Sequence, residues 1–183
     1  VESEFYTVIS QTTAHRYPRE VVKFSVLKNP KLFQPLVVLA CTPEDPNHHK
    51  ACWILELVCE QKLKLLRPHM NLFCNTMPRL THEGALRSMS KIVLFLSQKT
   101  NLLNQKQEQL LLETCWSWLL EHPKVATKVN AMRSLYYFGY TYLWIHPELR
   151  SIIQLHYSSY SAGYQAAAKD ILRKLDQNID IPF

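Results

Sequence analysis

Ala85-Leu86-Arg87-Ser88-Met89 and Ala131-Met132-Arg133-Ser134-Leu135 are two copies of one five-residue string. Looser copies stand at Ala51-Cys52-Trp53-Ile54-Leu55 and Ala167-Ala168-Lys169-Asp170-Ile171. The four starts are 34, 46 and 36 residues apart, periods that suit repeated helix pairs. On a helix, positions one and five of the string share a face. A small alanine there lets a partner helix approach, and the large apolar residue four positions on fills the space behind it. Position three points away. The string therefore predicts that Trp53, Arg87, Arg133 and Lys169 face solvent.

Around the strings, apolar residues recur at three- and four-residue spacings, as in Leu57, Leu65, Leu66 and Phe73, or Ile92, Phe95 and Leu96. Strand-like alternation is absent, so helices are expected throughout. They fall at 2–12, 18–28, 30–41, 47–61, 67–78, 82–99, 105–121, 123–142, 147–157 and 161–176. Pro30, Pro68, Pro123 and Pro147 suit first helical turns, where a missing N–H costs nothing. Thr81 and Ser161 suit N-caps, because a hydroxyl can accept an amide of the first turn. Short connections make consecutive helices antiparallel neighbours. The expected fold is all-α: a HEAT/armadillo-like right-handed stack of about five antiparallel helix pairs, an α-α superhelix, in one domain over 1–183. The pairs lie near 2–28, 30–61, 67–99, 105–142 and 147–176, the first degenerate as a cap would be.

Composition narrows the function. The longest apolar run is six residues, Leu36 to Cys41, against the roughly 20 that a membrane span needs. No membrane partner is expected. With three glycines, Gly-rich phosphate loops find no support. Cys41, Cys52, Cys59, Cys74 and Cys115 form no C-x-x-C pair and sit in apolar segments. They read as free buried thiols of a cytoplasmic protein. The net charge of +6 is spread along the chain, which permits an acidic partner without demanding one.

Two groups of residues are candidates for function. In a helix-pair stack the second helices line the concave face, so Trp53, Arg87, Arg133 and Lys169 form a basic ridge, with Lys50, Lys91 and Lys128 nearby. Such a ridge suits a protein or peptide segment, with nucleic acid as the second class of partner. The competing reading is a solvated face whose arginine stems cover apolar neighbours. The other group is His48, His49, His82 and Glu83, residue types that bind metals or move protons. His82-Glu83 is followed by Gly84-Ala85-Leu86 and not by the H-E-x-x-H pattern, so no metal and no cofactor is expected. The aromatic run Tyr136 to Trp144 reads mainly as core. Trp116 and Trp118 cannot share a face, so one of them should be partly exposed. No nucleophile motif assigns a catalytic residue.

Asn29-Pro30-x-Leu32-Phe33, His49-Lys50-Ala51-Cys52-Trp53-x-Leu55-Glu56, His82-Glu83-x-Ala85-x-Arg87, Lys128-x-x-Ala131-Met132 and Trp144-Ile145-His146-Pro147-Glu148-Leu149 span most of the chain. Together they resemble a group of small bacterial all-helical proteins with HEAT-like repeats. Members of that group often carry the label adenylosuccinate lyase. Lyases of that name use a Ser-Ser-x-Met-Pro-x-Lys-x-Asn loop, whereas Ser158-Ser159 is followed here by Tyr160-Ser161-Ala162. The resemblance therefore implies a fold and carries over no catalytic residues. At the level of fold the pattern is also similar to HEAT-like DNA alkylation-repair proteins, which hold duplex DNA in a basic groove.

Overall fold

The computed structural model describes residues 2–122 and 124–179. Among them every regular element is helical: α1 Glu2–Gln11, α2 Arg16–Lys28, α3 Phe33–Ala40, α4 His48–Lys62, α5 Met70–Thr76, α6 Glu83–Ser97, α7 Gln105–Glu121, α8 Val125–Phe138, α9 Ile145–His156 and α10 Ala162–Ile179, with short 3-10 turns between several of them. Each expected helix has a counterpart. Among the described residues, no helix is long and apolar enough to cross a membrane.

Differences at the helix ends trace to proline and to unexpected caps. The expected helix 67–78 is replaced by a 3-10 segment Leu63–His69, the short α5, and a second 3-10 turn Met77–Arg79. Pro68 and Pro78 fall in these 3-10 turns, because a proline ring clashes with an α-helical turn and supplies no N–H. Pro30 likewise opens a 3-10 turn before α3, and Asn29 caps it by accepting the amide of Lys31 at 3.3 Å. Pro147 is the third residue of α9 and not the first, still within the turn that needs no donor. The cap of α6 is His82 and not Thr81: its Nδ1 accepts the amides of Gly84 at 3.1 Å and Ala85 at 3.4 Å. Ser161 immediately precedes α10. Pro123 lies outside the described residues. At the start of α7, Asn104 and Gln107 exchange side-chain to backbone bonds of 3.0 and 2.9 Å, satisfying two orphan amides at once.

The chain divides into two compact units, Val1–Leu111 and Leu112–Phe183. In the first, α4 is the hub, packing on α2, α3 and α6. Its Ala51 and Leu55 are fully buried, as are Ala85 and Met89 of α6. In the second unit α8 packs on α9 and α10, and Ala131, Leu135, Ala167 and Ile171 are buried in turn. The repeated string thus marks the inner face of four helices. All five cysteines are free and buried. Burial pushes the thiols up, Cys41 to about 11 and Cys74 and Cys115 to about 12, so they pack as small hydrophobes.

Candidate functional site

Position three of each string faces outward. Arg87 and Lys169 are exposed, and Trp53 and Arg133 are half-buried. Trp53 and Arg87 belong to the first unit, where they line one cleft of about 260 Å³ together with Arg16, Arg19, Glu56 and Ser88. Helices α2, α4 and α6 each supply part of it. The Arg19 guanidinium lies over the Trp53 indole, 5.9 Å from the ring centroid, a cation–π contact that holds both side chains. Gly84 stands beside the indole, where an added Cβ would lie 3.2 Å from the Trp53 Nε1. The backbone of α6 can approach so closely because that position has no side chain.

Glu56 is the carboxylate in this cleft. Its Oε2 accepts a 2.6 Å bond from the Ser88 hydroxyl. Burial pushes the Glu56 carboxyl up from its ordinary value, and the Ser88 bond and the charges of Arg87 and Arg19 oppose that shift. The sequence reading missed Arg16, Arg19, Glu56 and Ser88. Glu56 had a local signal, since it follows Trp53 by three and so shares its helix face. The arginines of α2 had none, because only tertiary packing brings them to α4.

Arg133 and Lys169 belong to the second unit. The three lysines expected beside the ridge are used otherwise. Lys128 is buried and donates to the carbonyls of Leu119 at 2.5 Å and Leu120 at 3.2 Å, near the end of α7. Its ammonium also lies 4.8 Å from the Tyr160 centroid. A cation on the orphan carbonyls of a helix C-terminus satisfies both those groups and the helix dipole. Lys50 donates to the Ser10 carbonyl, and Lys91 lies over Phe95 at 5.4 Å. Trp118 is buried, whereas Trp116 is half-buried and stacks on Trp144 with centroids 6.3 Å apart.

The structure does bring His48, His49 and His82 together. His49 stacks on His82 at 4.2 Å, with the planes 14° apart, and His48 meets His82 edge-on at 5.6 Å. Glu83 follows His82 as an exposed first residue of α6. Face-to-face rings do not aim two nitrogens at one ion. Among the described residues no group of three or more His, Cys, Asp or Glu is placed to hold a metal. His82 caps α6, while the buried Nδ1 atoms of His48 and His49 have no hydrogen-bond partner among the described residues. Burial, and then the neighbouring His82, hold His48 and His49 below the ordinary imidazole value of 6.5. The unfolded chain therefore takes up these protons first. The stability they contribute is complete above about pH 6.5 and is lost as the pH falls through their lower folded values. Glu56, shifted upward, has the opposite sign and acts at lower pH, near and above its ordinary 4.5. Urea midpoints are expected to drop between pH 7.5 and 5.5, and His48→Gln/His49→Gln to flatten that drop. An unchanged slope in the double variant would assign the acid sensitivity elsewhere.

A family model described as a HEAT repeat domain matches residues 6–175. The chain belongs to the HEAT repeat domain family. No curated protein and no solved structure matches it. HEAT repeat domains are commonly protein-interaction scaffolds.

Proposed function

We propose that this chain is a non-catalytic binding module for a protein or peptide segment, using the outward basic positions of its second helices: Trp53 and Arg87 in the first unit, Arg133 and Lys169 in the second. The observation that carries the reading is the register. In each string the first and fifth residues are buried, while the third is exposed or half-buried. A face turned away from the core can carry large and charged side chains at modest cost to stability. The choice of a tryptophan and three cations there is then a choice about partners, since aromatic and arginine side chains dominate binding energy at interfaces. The signature loop of adenylosuccinate lyases is absent from the sequence, so the reading borrows nothing from that activity.

The test is affinity capture from native lysate with the wild-type chain, Arg87→Glu, Arg133→Glu and the double variant as baits. Loss of specific partners from the charge-reversed baits is expected, with circular dichroism confirming the fold. Recovery of the same partners by all four baits would end the proposal. A nucleic-acid partner would instead show binding that collapses steeply with added salt.

A further inference from the structure

Two helices of the first unit begin side by side, and three imidazoles fill the seam between their starts. His48 and His49 are the first residues of α4, and His82 precedes α6 as its N-cap. A helix start presents orphan amides and the positive end of the helix dipole. His82 answers with an acceptor, its Nδ1, which takes the amides of Gly84 and Ala85. Accepting there requires a bare Nδ1, so the ring is neutral and carries its proton on Nε2. Ala85 is completely buried, so its amide has no water to turn to if the ring departs. His49 lies flat on His82 and His48 meets it edge-on. The Nδ1 atoms of these two rings are buried and have no hydrogen-bond partner among the described residues.

We infer that His82 is an acid-sensitive latch between the first turns of α4 and α6, one that opens when its Nδ1 takes a proton. The inference goes beyond the binding-module reading and does not depend on it. An imidazolium donates from both nitrogens, so a protonated Nδ1 would set a third donor against two amides. His82 is exposed, which lets protons reach it and gives the ring water to turn to. Its departure takes the cap from Gly84 and Ala85 and the stacked ring from His49. Water then reaches the orphan Nδ1 atoms of His48 and His49, which ionise in turn. The first proton thus favours the next, and the latch responds more steeply than a single imidazole. Opening stops at the first turn, because the bond from the Leu86 amide to the His82 carbonyl at 2.9 Å does not involve the ring. The surrounding charges do not reverse the direction. Before α4, Asp45 and Glu44 favour the His48 cation, but Glu44 is paired with Arg79 at 2.6 Å. Lys50 opposes the His49 cation. In α6, Glu83 adjoins His82 and Arg87 follows a turn later. From α2, Arg19 lies across Trp53, which meets His49 edge-on at 5.0 Å. Acidic and basic groups are balanced around the seam, and the hydrogen bonds at Nδ1 decide.

Amide hydrogen exchange on the full chain, followed by nuclear magnetic resonance at pH 7.5 and 5.5, tests this across the window in which imidazoles ordinarily change charge. Protection is taken relative to the unstructured-chain rate at each pH. In the wild type, protection of the Gly84 and Ala85 amides should fall about tenfold on acidification, while that of Leu135 in α8 holds. The Trp53 indole N–H, beside Gly84, should shift over the same range. His82→Asn supplies a cap that does not titrate and should keep both amides protected at pH 5.5. His82→Ala, with no cap, should show the low protection at both pH values. The wild type also tests the latch without any variant: the side-chain nitrogen shift of His82 Nδ1 should report a bare nitrogen at pH 7.5, and its protonation should track the loss of Ala85 protection. An equal fall in His82→Asn, full protection of wild-type Ala85 once His82 Nδ1 is protonated, or a fall that Leu135 shares in full would each overturn the inference.

Discussion

Leu135→Ala is expected to lower stability by about 2–5 kcal/mol, while Arg133→Ala, two residues earlier in the same string, should stay within about 0.5 kcal/mol. Leu135 is completely buried on the inner face of α8. Removing its isobutyl group loses about 1.5–3 kcal/mol of apolar burial and adds the cost of a cavity that close-packed neighbours fill only in part. Arg133 is half-buried on the opposite side and leaves no void when shortened. Urea midpoints of the two variants measure the contrast directly. Met89 and Arg87 of α6 repeat the pair, with Met89 fully buried, so the same asymmetry is expected there. Were the arginine variants the costly ones, the register assigned to the repeat would be wrong by a third of a turn or more.

Gly139→Val is expected to cost about 3 kcal/mol, for a reason the backbone does not disclose. Gly139 follows α8 with φ −61° and ψ −18°, a right-handed helical conformation open to any residue. Space decides the matter. A Cβ there would lie 2.0 Å from Cδ2 and 2.2 Å from Nε2 of His146. The imidazole is held on several sides: it stacks on Tyr136 at 5.5 Å, meets Tyr140 edge-on at 5.3 Å, and donates through Nε2 to the Tyr136 carbonyl at 2.9 Å. Gly139→Ala gains about 0.4–1 kcal/mol by narrowing the conformations of the unfolded chain and should still be a net loss. In a double-mutant cycle, Gly139→Ala with His146→Ala should be less destabilised than the two singles summed, because the second change removes the obstruction. An additive cycle in thermal melts would show that the clash is relieved elsewhere.

The same contrast between periodic and particular features separates what could be read in advance from what could not. The string Ala-x-Arg-Ser-Met/Leu carries its own geometry: an alanine and a large apolar residue four apart can only be a buried helix face, and whatever lies between them on the far side is outside. This local periodicity determined the all-α class, the ten helices of the described residues and the outward placement of Trp53, Arg87, Arg133 and Lys169. Helix ends were less legible, because a cap depends on one side chain reaching one amide. His82 does this through a ring nitrogen, where the sequence pointed to the hydroxyl of Thr81. Lys128 shows the limit most plainly. Nothing local distinguishes it from a solvated lysine, and only the position of the α7 carbonyls draws it inside. The cleft is of the same kind. Trp53 and Arg87 were visible from the repeat, but Arg16 and Arg19 join them from a helix more than thirty residues away from Trp53. Periodicity along one helix determines which way a side chain points. Which charges then meet is a matter of distance between helices, and that was decided by the tertiary structure alone.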